Sequence, residues 1–134
     1  MNDYKCPQCK AYLNVSNNVI FAAEKDDGTK GLILLHPEIG NFESDQHEKF
    51  VIGEGEKVEF KCPACNANLK APKARNLAKI EAVSEDNKVF EVYFSRIKGE
   101  KSTYTLEGES VEIYGEHSEN YKDYFELGNI GLMK

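Results

Sequence analysis

The sequence predicts an all-β protein of antiparallel hairpins, held by one four-cysteine metal site and with room for a short C-terminal helix. Three observations carry this reading. Apolar residues alternate with polar ones in short runs, as Phe90, Val92 and Phe94 do with Glu91, Tyr93 and Ser95. Those runs are punctuated by acidic or glycine-bearing turns such as Asp26-Asp27-Gly28, a strong hairpin signal. All four cysteines fall in two near-identical stretches, Tyr4-Lys5-Cys6-Pro7-Gln8-Cys9 and Phe60-Lys61-Cys62-Pro63-Ala64-Cys65, each reaching a leucine after three further residues.

In chain order, residues 4–13 form the first knuckle and the strand leaving it, and Ser16-Asn17-Asn18 is a turn. Val19 to Glu24 is a strand, returned after the Asp-Asp-Gly turn by Leu32 to Leu35. That return run does not alternate, which fits burial on both faces or a helix fragment, and its length and neighbours favour the strand. Pro37 and Gly40 close it. Residues 38–48 are polar and show no periodicity. Lys49 to Ile52 is predicted as a short strand, Gly53 to Glu56 as a turn, and Lys57 to Lys61 as the approach to the second knuckle. Ala71 to Asn76 has the composition of a surface connection.

Leu77 to Val83 fits helix or strand on propensity, and the following Glu85-Asp86-Asn87 turn with its alternating return run decides for a hairpin. Lys98-Gly99-Glu100 is a turn. Thr103 to Leu106 and Ser110 to Tyr114 make a further hairpin around Glu107-Gly108-Glu109. Ser118 is placed to cap a short helix carrying Tyr121, Tyr124 and Phe125 on one side.

At 134 residues the chain makes one average domain or two small ones. The division expected is a cysteine-bearing β unit over 1–70 and an antiparallel β unit with the short helix over 71–134, able to pack as one domain. A weak repeat is visible. The hairpin of residues 19–35 resembles that of 77–94 in length and turn acidity, and Gly55 to Phe60 resembles Gly108 to Ile113. On this reading each half is a hairpin with further strands, and both knuckles belong to the first.

Cys-x-x-Cys lets a tight turn present two sulfurs to one ion, and two such turns complete a tetrahedral, all-thiolate site. Pro7 and Pro63 pre-set the backbone where each turn begins. Cys6, Cys9, Cys62 and Cys65 are therefore the predicted metal ligands, with Zn2+ as a structural ion and iron as the alternative. The rival readings are redox dithiols or unligated thiols. A redox Cys-x-x-Cys belongs at a helix start in an α/β setting, and neither knuckle is followed by helix signals.

The two knuckles, with their hairpin-rich surroundings, resemble the zinc-ribbon and rubredoxin-like proteins over roughly residues 4–13 and 57–70. The resemblance implies a structural ribbon used to dock on protein or nucleic acid, or, with iron, an electron carrier. Many members of those families place glycine after the second cysteine of a knuckle. Here Lys10 and Asn66 stand at those positions, a departure that tells against the rubredoxin match.

The formal net charge of −6 argues against a general nucleic-acid binder. A local exception runs from Lys57 to Lys79, with six basic residues and one acid, so Lys61, Lys70, Lys73 and Arg75 are the candidate nucleic-acid contacts. Glu100 to Glu126 is the reverse, with eight acids and two lysines. No apolar run reaches membrane-spanning length, and the N-terminal residues lack a signal-peptide pattern. Metal-type cysteines without a targeting segment favour the cytoplasm. His36, His47 and His117 show no metal spacing, and the carboxylate pairs Asp26/Asp27 and Glu85/Asp86 read as solvated turn residues. There is no phosphate loop, serine elbow or His-Glu-x-x-His. Tyr104, Tyr114, Tyr121 and Tyr124 read first as core and second as a protein-binding surface. The function expected is a zinc-stabilised binding or scaffolding module acting through protein–protein contact, and the sequence shows no credible catalytic constellation.

Overall fold

The structure is a computed structural model and describes residues 2–117 apart from 73 and 109. The helix expected from Ser118, with Tyr121, Tyr124 and Phe125, lies outside the described residues. The rest is all-β and antiparallel. The strands are β1 (Asp3–Lys5), β2 (Asn14–Val15), β3 (Asn18–Glu24), β4 (Lys30–Leu35), β5 (Ser44–Gln46), β6 (Glu59–Lys61), β7 (Leu77–Val83), β8 (Val89–Ser95), β9 (Thr103–Glu107) and β10 (Ser110–Tyr114). One sheet runs β1-β7-β8-β9-β10. The other runs β2-β3-β4-β5, with β6 also paired to β3.

The two sheets share one core. β3 alternates buried and half-buried residues along its whole length, as a strand with one inward face must. Phe21 of β3, Phe60 of β6 and Phe94 of β8 meet there with ring centroids 5.1–5.4 Å apart. Two of the three contacts are edge-on, the arrangement the ring quadrupoles favour. Val19, Ile33, Ile80, Ala82 and Val92 complete the packing from both sheets. Tyr93 and Tyr104 lie on the far face of the β7–β10 sheet, in a second cluster with Ala71, Ala74 and Leu77. Tyr104 is thus a core residue, as its alternation suggests.

The architecture is one unit built twice, with its first arms exchanged. Tyr4 of β1 pairs with Ala82 of β7, and Phe60 of β6 pairs with Ala23 of β3. Asn14 pairs with Val19, and Lys70 bridges Ala78. Phe21 lies opposite Ile33, as Ile80 lies opposite Val92; Leu35 lies opposite Ser44, as Phe94 lies opposite Thr103. Equivalent positions are 56 apart in the arms (3–15 and 59–71) and 59 apart thereafter (18–46 and 77–105). The turns obey the same offset. Lys25 and Ser84 each close a loop of the same length, and Gly28 at φ 89° matches Asn87 at φ 65°. Each copy therefore carries one knuckle, where the sequence reading gave both to the first half. β1 of the first copy completes the sheet of the second, and β6 of the second completes the sheet of the first.

Four local expectations are corrected. Lys49–Ile52 forms no ladder. Phe50 and Ile52 are buried and Val51 is exposed, so the alternation is real, but Phe50 N donates to His47 O in a turn. β5 lies in the stretch read as lacking periodicity, because Ser44, Asp45 and Gln46 form a polar edge strand with no apolar face to signal it. β4 is not buried on both faces: Leu32 is exposed and Ile33 alone is fully buried. The 71–76 segment is no simple surface connection, since Ala71 and Ala74 are buried beneath it in the second cluster.

Candidate metal centre

Each knuckle is built by the same hydrogen bonds. In the first, Lys10 N donates to Cys6 O and Cys6 N to Ala11 O, both at 3.0 Å. In the second, Asn66 N donates to Cys62 O at 2.9 Å and Cys62 N to Ala67 O at 3.0 Å. Closing this turn requires a left-handed residue after the second cysteine, and Lys10 and Asn66 both adopt φ 64°. The missing glycines therefore leave the backbone unchanged. Leu13 and Leu69, the leucines of the motif, anchor the outgoing arms in the core, where Leu13 N bonds Tyr4 O and Leu69 N bonds Phe60 O.

The four Sγ atoms lie within 4.8 Å of one another. Cys6 sits 3.8 Å from Cys65, and Cys9 sits 3.8 Å from Cys62. The pairing is across the copies, each buried sulfur facing the exposed sulfur of the other knuckle. Four sulfurs each about 2.3 Å from a common centre form a tetrahedron with edges of about 3.8 Å. The donor set thus fits a divalent ion such as zinc or iron, and the sulfurs are too far apart for disulfides.

Backbone N–H groups point at the inner sulfurs. Gln8 N and Cys9 N lie 3.3 and 3.5 Å from Cys6 Sγ, and Ala64 N and Cys65 N lie 3.3 and 3.4 Å from Cys62 Sγ. Cys6 and Cys62 are wholly buried, whereas Cys9 and Cys65 are exposed. Burial pushes the Cys62 thiol up to about 12. The Ala11 amide lowers the thiol of Cys9. Ionising all four at neutral pH calls for a cation between them, and a divalent ion leaves the site two charges negative.

The other candidates stand apart. At Nδ1, His36 and His47 accept the N–H two residues on, from Glu38 and Lys49, and His117 accepts that of the distant Lys101, at 2.8–3.1 Å. Asp26, Asp27, Glu85 and Asp86 are exposed in hairpin turns, where Asp27 Oδ1 caps Thr29 N at 2.9 Å. In the basic stretch, Lys61 pairs with Glu24 at 2.8 Å and Lys79 with Glu91 at 2.9 Å; Lys70 and Arg75 are exposed, and Lys73 lies outside the described residues. Sequence reasoning missed Arg96, which is 6% exposed between the sheets. Its signal was the strand period: Arg96 continues the inward-facing series Val92, Phe94. No protein-family model, curated protein or solved structure matches the chain.

Proposed function

We propose that this chain is a zinc-stabilised β-rich binding or scaffolding module, working through protein–protein contact, in which the ion is structural. One observation carries the reading: the four sulfurs gather where the exchanged arms of the two copies meet, two of them wholly buried. An ion there ties β1 and β6 to the opposite sheets and adds its binding free energy to folding. The test is metal analysis and visible absorption, before and after reduction, of protein isolated anaerobically from its own host. About one zinc per chain and no colour are expected. Four freely titrating thiols in folded protein would refute a metal site altogether. Affinity capture under metal-retaining conditions then tests for the protein partner.

A second reading has its own support. The four N–H groups around Cys6 and Cys62 suit an iron centre whose potential they tune, and exposed Cys9 and Cys65 give a path to a redox partner. Stoichiometric iron with reversible bleaching would make electron transfer the function. Nucleic-acid binding through Lys61, Lys70, Lys73 and Arg75 is the third option, weakened because Lys61 is engaged by Glu24. Tight, salt-sensitive binding lost on reversing Lys70, Lys73 and Arg75 would promote it.

A further inference from the structure

A cavity of about 340 Å³ opens between the two sheets. Phe21 and Ile33 of the first copy and their counterparts Ile80 and Val92 form its walls. Its mouth is framed by one loop made twice, residues 36–43 and 95–102. His36 N bonds Glu43 O at 3.2 Å, as Ser95 N bonds Ser102 O at 3.1 Å. Glu38 N is capped by His36 Nδ1, as Ile97 N is capped by Ser95 Oγ. Gly40 and Gly99 turn both loops, at φ 93° and 87°.

The loops share a backbone and differ in chemistry. Where the first has Pro37, Ile39 and Phe42, the second has Arg96, Lys98 and Lys101, and all six line the cavity. Arg96 is the innermost of these cations. Its Nε donates to Val58 O at 3.0 Å and its Nη1 donates to Arg75 O. Among the described residues no carboxylate lies within 4 Å of its guanidinium, and Glu59 and Asp26 act on it only through space. Burial lowers its pKa, yet guanidinium stays charged in proteins. Backbone carbonyls offset part of the cost of burying that charge but do not neutralise it.

We propose that this cavity binds a small amphipathic monocarboxylate, its apolar body between the sheets and its carboxylate on Arg96. The volume lies at the lower end of the range for small-molecule sites, roughly 300–1,000 Å³. A planar carboxylate matches the guanidinium fork. Glu38, Glu43, Glu54 and Glu100 also line the site and outnumber its cations Arg96, Lys98 and Lys101, a balance that favours a singly over a doubly charged anion. The site does not depend on which metal the cysteines hold.

The test is titration of the full, metal-loaded chain with octanoate and, separately, with neutral octanamide, read by heteronuclear NMR and calorimetry. Octanoate is expected to saturate one site, to shift resonances of Ile33, Val92 and Arg96, and to bind at least tenfold more tightly than octanamide. Arg96→Gln is expected to erase that preference. Because Arg96 also bonds two backbone carbonyls, Ile39→Trp provides a second variant, filling the mouth with Arg96 intact and abolishing binding. Equal affinity for the two probes, or no saturable binding, overturns the proposal. Nuclear Overhauser contacts between residues 118–134 and the cavity walls, without octanoate binding, would instead assign the space to the chain's own C-terminal segment and overturn it equally.

Discussion

Lys10 and Asn66 hold the same left-handed backbone at φ 64°, but not at the same cost. That region costs an ordinary L-residue about 1–2 kcal/mol, and asparagine is among the residues that enter it most readily. Glycine pays no steric cost there but loses about 0.5–1 kcal/mol of backbone entropy on folding. Lys10→Gly is therefore expected to stabilise the metal-loaded protein by up to about 1 kcal/mol, and Asn66→Gly by less, in denaturant titrations. The exposed Lys10–Glu81 pair that the first variant gives up is worth little against this. Equal effects would mean the two knuckles are not equivalent in energy. The four-cysteine cluster was legible in the sequence because cysteine spacing maps directly onto turn geometry. The absence of glycine from both knuckles does not alter the turn, because backbone conformation, not residue type, is what the turn requires.

Within the elements, β4 depends on a missing side chain. A Cβ built on Gly31 would lie 2.6 Å from the Phe50 ring, inside any tolerable contact. Phe50 is itself buried, so the ring has little room to retreat. Gly31→Ala is expected to destabilise by about 1–3 kcal/mol, the usual cost of overpacking, and thermal melts of the two proteins measure it. β3 and β6 are joined by a charge pair as well as a ladder, with Lys61 Nζ 2.8 Å from Glu24 Oε1. The Lys61 ammonium holds the Glu24 carboxyl below its ordinary range, and Glu24 raises Lys61 in turn. The depressed carboxylate contributes stability above its unfolded value that is lost as pH falls through its folded value. The raised ammonium contributes below its unfolded value and loses this as pH climbs through its folded one. Lys61→Met should thus lower stability at neutral pH, and flatten the pH profile below about 4 and above about 10; an unchanged profile would show that the pair contributes nothing. Long alternating runs such as β8 were readable because one face is buried along their length. β5 was not, since its polar residues are set by pairing with β4 and by nothing in their own pattern.

At the scale of the whole molecule, the exchange of arms couples the two copies. β1 can leave the β7 edge only if the first knuckle moves, and β6 is bound to β3 in the same way. Stripping the ion is expected to loosen both sheets together, giving one denaturation transition at lower denaturant whose midpoint is the same by far-ultraviolet and tyrosine near-ultraviolet dichroism. Two separated transitions would show that each sheet stands alone. The duplication was only faintly legible, because the copies match residue for residue mainly in the knuckles, whereas the hairpins keep register and turn length without keeping identity. Residues 47–57 are all that joins the copies into one chain. Severed there, the protein would be an intertwined heterodimer sharing a single four-cysteine cluster, and its assembly would depend on the concentration of both fragments. The linker replaces that encounter with an internal one, and it is packed rather than loose, with Phe50 and Ile52 buried in the core. It also frees each copy from having to be identical to the other. A homodimer would carry the same loop on both lips of its central cavity; a single chain can give one lip Pro37 and the other Arg96.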